Sequence, residues 1–150
     1  MKYIIPLCII LFASSSNNDS FTKNQQDEFE QVAKNYQKIY MDGNANCDEI
    51  LSHLDENIIM SEAQFGGPNR TITYDQLKMF CPHLPQKEVI GTITEQRLLA
   101  TDLGYDYVSQ IYLRKSVGDT ARETSARIWE RKKGVWKIIQ MNNSLRKECN

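Results

Sequence analysis

The apolar positions Phe29, Val32, Ala33, Tyr36, Ile39 and Tyr40 recur every three or four residues. That spacing puts them on one face of an amphipathic helix over about 26–42, with Gly43 as its stop. A shorter helix is predicted after Asn46, where Glu49 three residues on makes a capping pair. Its inward stripe is Ile50, Leu51 and Leu54, and residues 58–61 then read as a short extended segment. A loop with Gly66, Gly67 and Pro68 follows. Thr73 and Gln76 form another capping pair and open a third helix, with Leu77 and Phe80 inward and Pro82 and Pro85 ending it.

From Lys87 onward the pattern becomes that of strands. Val89, Ile90, Thr92, Ile93 and Thr94 are strand formers, as are Tyr105, Tyr107, Val108, Ile111 and Tyr112. Residues 124–129 and 135–141 continue the series, with turn signals at 101–104, 117–119 and 132–134. Three helices followed by a meander of four long strands predict an α+β fold, an antiparallel sheet with helices over one face.

The first residues carry a different message. Lys2 precedes an apolar run from Tyr3 to Phe12, and Ala13, Ser14, Ser15 and Ser16 follow. This is the order of a secretory signal, and the run is far short of the roughly 20 residues that span a bilayer. We therefore expect a signal over 1–15, a flexible leader over 16–25, one domain over 26–146 and a tail over 147–150. The protein is expected to be secreted or extracytoplasmic, in an extracellular or periplasmic space, without integral membrane association.

Composition adds little to this. The chain has 150 residues, 41% hydrophobic and 25% charged, with 18 basic and 19 acidic side chains. Such a balance gives no global attraction to nucleic acid. The run Arg131-Lys132-Lys133 lacks an aromatic platform and reads as a solvated hairpin tip. Asp55, Glu56 and Asp106 read as solvated turn or strand-edge charges, and His53 as a helix-surface residue.

Three cysteines follow the signal: Cys47, Cys81 and Cys149. In an oxidising compartment a disulfide is the default use. Cys47 with Cys81 is the first choice, and a pairing with Cys149 is the alternative. The spacings do not match a zinc site, and no metal or cofactor is expected. Sequons occur at Asn18, Asn69 and Asn142, and Asn69 sits in the most exposed setting for glycosylation.

The order of elements resembles the nuclear-transport-factor-2-like superfamily, including SnoaL-like proteins. The closest local match is Ser125-Ala126-Arg127-Ile128-Trp129-Glu130-Arg131-Lys132-Lys133-Gly134-Val135-Trp136-Lys137-Ile138-Ile139, then Ser144. This stretch is similar to the strand–turn–strand of the association domain of calcium/calmodulin-dependent protein kinases. The resemblance implies a cone-like roll, in which a curved sheet shelters a pocket, and dimers formed through the open sheet face. It also places Arg127 at a pocket arginine and Glu62 at an acidic residue of the first strand. Tyr107 falls where relatives carry a second arginine, and Gln140 and Asn142 fall where they often carry histidines.

Strand alternation independently puts Trp136, Ile138, Gln140 and Asn142 on one face, and Ser125, Arg127 and Trp129 on one face of the neighbouring strand. A ligand site is thus expected from Tyr36, Tyr40, Glu62, Tyr107, Arg127, Gln140 and Asn142, with Arg127 holding a carboxylate. The plain structural alternative is a buried ion pair between Arg127 and Glu62. Two functions follow. One is a secreted, non-catalytic small-ligand-binding or dimerisation module, a homodimer with a polar-lined pocket. The other is a SnoaL-like lyase or isomerase acting on a small carbonyl compound through Glu62 or His83.

Overall fold

The computed structural model describes residues 21–41, 46–83, 88–114 and 118–148. The expected signal, the first half of the leader, Asn18, Gly43, Pro85 and Cys149 lie outside these residues. The first helix, α1 (Lys23–Met41), begins within the expected leader. The reason is local: Thr22 N–H donates to Gln25 Oε1 (2.9 Å) and Gln25 N–H to Thr22 Oγ1 (3.3 Å), a reciprocal cap. Next come α2 (Cys47–Ser52) and α3 (Tyr74–Phe80). The Thr73–Gln76 box caps α3 as expected, whereas Asn46 caps α2 by accepting from Asp48 N–H.

The strands are β1 (Leu54–Gln64), β2 (Arg70–Ile72), β3 (Glu88–Ala100), β4 (Leu103–Arg114), β5 (Asp119–Lys132) and β6 (Val135–Lys147). They form one sheet in the order β2-β1-β6-β5-β4-β3. The fold class is α+β, as expected, with two differences. The predicted short strand is the eleven-residue β1, and the loop after Pro68 contains a further strand, β2, paired antiparallel to it. The sheet is mixed, because β1 joins the last strand of the meander in parallel. β6 also outlasts the expected domain end, and Glu148 beyond it is held by Arg122. Lys133 and Gly134 take positive φ, 52° and 81°, the form of two-residue turn that matches strand twist at the β5–β6 hairpin.

The core lies between α1 and the inner sheet face. Phe29 meets Trp129 edge-on, with ring centroids 6.1 Å apart, and lies 5.0 Å from Trp136. Only glycine fits beneath it at position 104, since a Cβ there would come within 2.4 Å of the Phe29 ring. His53 is not a surface residue. It is half-buried, with its ring 5.5 Å from Tyr36 and 6.3 Å from Trp129. By contrast, α3 has no fully buried residue. It is tied by the Cys47–Cys81 disulfide, which joins the start of α2 to the residue after α3. Among the described residues no helix is long and apolar enough to cross a membrane.

The bridge spans 34 residues, so the double variant C47S/C81S should lose roughly 3–4 kcal/mol in urea denaturation on the chain-entropy account. Burial, and then the Lys137 charge, hold the His53 imidazole below its ordinary value of 6.5. Between those two values the unfolded chain binds more protons than the folded one, so stability should fall as pH drops below about 6.5. H53Q should flatten that part of the stability–pH curve.

Candidate functional site

Strand register arranges the inner face in rows. One row reads Ile72, Met60, Met141, Arg127, Asp106 and Gln96 across β2, β1, β6, β5, β4 and β3. The next reads Arg70, Glu62, Asn143, Ser125, Val108 and Thr94. The β4–β5 half of this face is closed by a polar network, and the β2–β1–β6 half borders a cavity.

The network is built around Arg127, which is 1% exposed. Its Nε donates to Asp106 Oδ1 (2.9 Å) and its Nη2 to Asp106 Oδ2. Nη2 also donates to Gln37 Oε1 (3.1 Å), and Trp129 Nε1 donates to Asp106 Oδ1 (2.7 Å). The guanidinium lies over the Tyr36 ring, 4.9 Å from its centroid. From Gln37 the chain continues through Gln110 to Glu123, which accepts from Tyr40 Oη (3.0 Å). Burial is the largest influence on both tyrosines. It pushes the Tyr36 phenol up to about 12 and raises that of Tyr40, so both keep their protons at neutral pH.

This geometry corrects two expectations. Asp106 is not a solvated strand-edge charge; it is fully buried. Its partner is Arg127, whereas Glu62 pairs with Arg70 through Nε (3.1 Å) and Nη2 (2.7 Å). Arg127 does point inward, but Asp106 and Gln37 hold it, and it does not line the main cavity.

That cavity has a volume of about 210 Å³. A cavity of about 150 Å³ accommodates benzene, so this one suits a slightly larger molecule. Tyr36 and Tyr40 of α1, Ile50 and Leu51 of α2, and Leu77 and Phe80 of α3 enclose it on the helical side. Leu54, Met60, Ile72 and Met141 floor it from the sheet. Cys81 lines it too, so the disulfide is part of the wall. Its polar residues on the sheet are Glu62, Gln64, Arg70 and Asn143.

Of the expected site residues, Tyr36, Tyr40 and Glu62 therefore share the cavity. Gln140 and Asn142 do not: both are exposed on the outer sheet face. A bulge in β6, which pairs Ile128 with Gln140 but Trp129 with Ile138, breaks the alternation there. Beyond it Met141 and Asn143 turn inward instead. Tyr107, opposite Ala126, is also on the outer face, and His83 is exposed and does not line the cavity. Asn69 is exposed in the turn before β2. Sequence reasoning missed Arg70, Gln64 and Asn143. The short spacing from Ile138 to Met141 is the one signal that could have disclosed Asn143.

In fold, the chain is similar to an NTF2-like protein of unknown function from Pseudomonas putida KT2440, with TM-score 0.61 and 11% identity over 82% of this chain and 87% of that one. It is similar to a ketosteroid isomerase-like protein from Erwinia carotovora atroseptica SCRI1043, with TM-score 0.60 and 13% identity over 86% of this chain and 100% of that one. A third likeness is to a candidate calcium/calmodulin dependent protein kinase II association domain from Xanthomonas campestris (TM-score 0.56, 15% identity, 78% of this chain and 84% of that one). The chain thus has the nuclear-transport-factor-2-like fold. No protein-family model and no curated protein matches its sequence.

Because Arg127 and Asp106 are both out of water, removing one partner strands the other. D106L alone should cost about 3–5 kcal/mol in urea denaturation, and the double variant D106L/R127M should recover most of it.

Proposed function

We propose that the protein is a secreted, non-catalytic module that binds a small molecule in the cavity between its helices and β1, β2 and β6. The observation that carries this reading is the cavity's make-up: apolar walls with a few convergent polar groups, one of them the buried amide of Asn143. A catalytic reading has less support. Glu62 is engaged by Arg70, and His83 does not line the cavity. The tyrosine hydroxyl that lyase chemistry would draw on at Tyr40 already donates to Glu123. The disulfide and the amino-terminal charge and apolar pattern support an extracytoplasmic location. The outer sheet face supports self-association. Ile59 and Ile93 are each 64% exposed there, with Tyr105, Tyr107, Ile111 and Ile128 half-buried between them.

The test is a thermal-shift screen of small amphiphiles of about six to ten heavy atoms, a size set by the cavity. A ligand at a hundred times its Kd adds about 2.7 kcal/mol. At least one compound should raise the melting midpoint of the parent chain, and none should raise that of Leu77→Trp, which fills the cavity. Bound compounds should be recovered unchanged. A screen without a stabilising compound would contradict the reading. The same preparation should begin near Ser16 and sediment as a dimer.

A further inference from the structure

The polar end of the cavity has a sign, and it is opposite to the one the sequence led us to expect. Glu62 and Asn143 are register partners on adjacent parallel strands, side by side on the inner face. Asn143 is 9% exposed, lines the cavity, and its Oδ1 accepts no hydrogen bond. Such an orphaned acceptor bears its full desolvation cost unless a ligand donates to it.

Glu62 adds a second acceptor. Arg70 Nε and Nη2 both donate to Oε2, so Oε1 takes no bond from any described residue. The carboxylate is mostly covered, its side chain 16% exposed, whereas that of Arg70 is 59% exposed. The arginine charge therefore sits largely in water, where it is screened, and its Nε–Nη2 edge is already occupied by Glu62. The other arginine near the inner face, Arg127, is held by Asp106 and Gln37 and does not line this cavity. Tyr40, which does line it, donates its hydroxyl proton to Glu123.

A molecule entering here thus meets the Glu62 carboxylate, one of whose oxygens has no protein donor, beside the Asn143 amide, whose covered Oδ1 has no partner, against an apolar body of Leu51, Leu54, Met60, Ile72 and Met141. We propose that the cavity selects a small apolar molecule ending in a hydrogen-bond donor, a primary ammonium above all, and discriminates against the matched carboxylate. The proposal rests on the ligand-binding reading and deepens it by naming the ligand class. An ammonium donates to Oε1 and leaves the Glu62–Arg70 pair in place, and a turn of the Asn143 amide brings its covered Oδ1 to a second N–H. A carboxylate would bring only acceptors to the same two oxygens.

The experiment is calorimetric titration of the full chain with hexylammonium, 1-hexanol and hexanoate at one pH and salt concentration. Hexylammonium should bind roughly tenfold or more tightly than hexanoate, as a charge-assisted hydrogen bond in a covered site implies. Hexanol should fall between them. Glu62→Gln should bring hexylammonium down toward hexanol and leave hexanol itself little changed. Asn143→Leu should weaken both donors while keeping the melting midpoint of the free protein at or above the parent's, since it removes the orphaned acceptor. If Asn143→Leu does not fold, Glu62→Gln carries the test alone. Hexanoate binding as tightly as hexylammonium would overturn this inference and leave the ligand-binding reading standing. No binding by any of the three, together with a barren amphiphile screen, would overturn both.

Discussion

The whole inner face is organised by the ion pair of Arg127 with Asp106. Two charges in a dry interior are costly to desolvate, and they persist only where geometry and further hydrogen bonds compensate. Here three neighbours supply that compensation. Trp129 adds a donor to Asp106, Gln37 accepts from Arg127, and the Tyr36 ring lies beneath the guanidinium. The last two of these contacts tie α1 to β5. The pair therefore sets where α1 lies on the sheet, and with it the position of Tyr36 and Tyr40 on the cavity wall.

This division of labour explains how one sheet face supports both stability and a binding site. Over β4 and β5, α1 lies close, and Gln37, Asp106, Gln110, Glu123 and Arg127 answer one another. Over β1, β2 and β6, the covering elements are α2 and α3. α3 brings no fully buried residue and is tied down at its end by a disulfide. A thinly anchored cover above apolar floor residues leaves room that a tightly interdigitated helix would have filled. The Glu62 and Asn143 acceptors border that room because parallel pairing brings β1 beside the last strand. The likeness to NTF2-like and ketosteroid isomerase-like proteins establishes the fold. The chemistry of the site belongs to this chain's own residues.

Much of the fold was legible in the residues alone. Helical periodicity marked α1, capping pairs marked α2 and α3, and turn signals separated the four strands of the meander. The Cys47–Cys81 pairing followed from helix ends and compartment. What stayed hidden depends on non-local pairing. Asp106 and Arg127 face each other only through the β4–β5 register, which no local pattern encodes. The parallel seating of β1 on β6 is of the same kind. The β6 bulge had a different effect: a single extra residue moved Gln140 and Asn142 to the outer face and Met141 and Asn143 to the inner one. A period-two argument is sound up to such a bulge and reversed beyond it. The site was therefore half-read. Tyr36, Tyr40 and Glu62 preceded the bulge or lay outside its reach, and Asn143 did not.

The central claim is that Arg127 holds the wall while the ligand meets Asn143 on the other side of it. The most direct measurement is an NMR titration of nitrogen-labelled protein with hexylammonium, following two side-chain signals. The account predicts that the Asn143 amide pair shifts progressively to saturation while the Arg127 Nε–H signal stays in place. Movement of the Arg127 signal with a stationary Asn143 amide would contradict it.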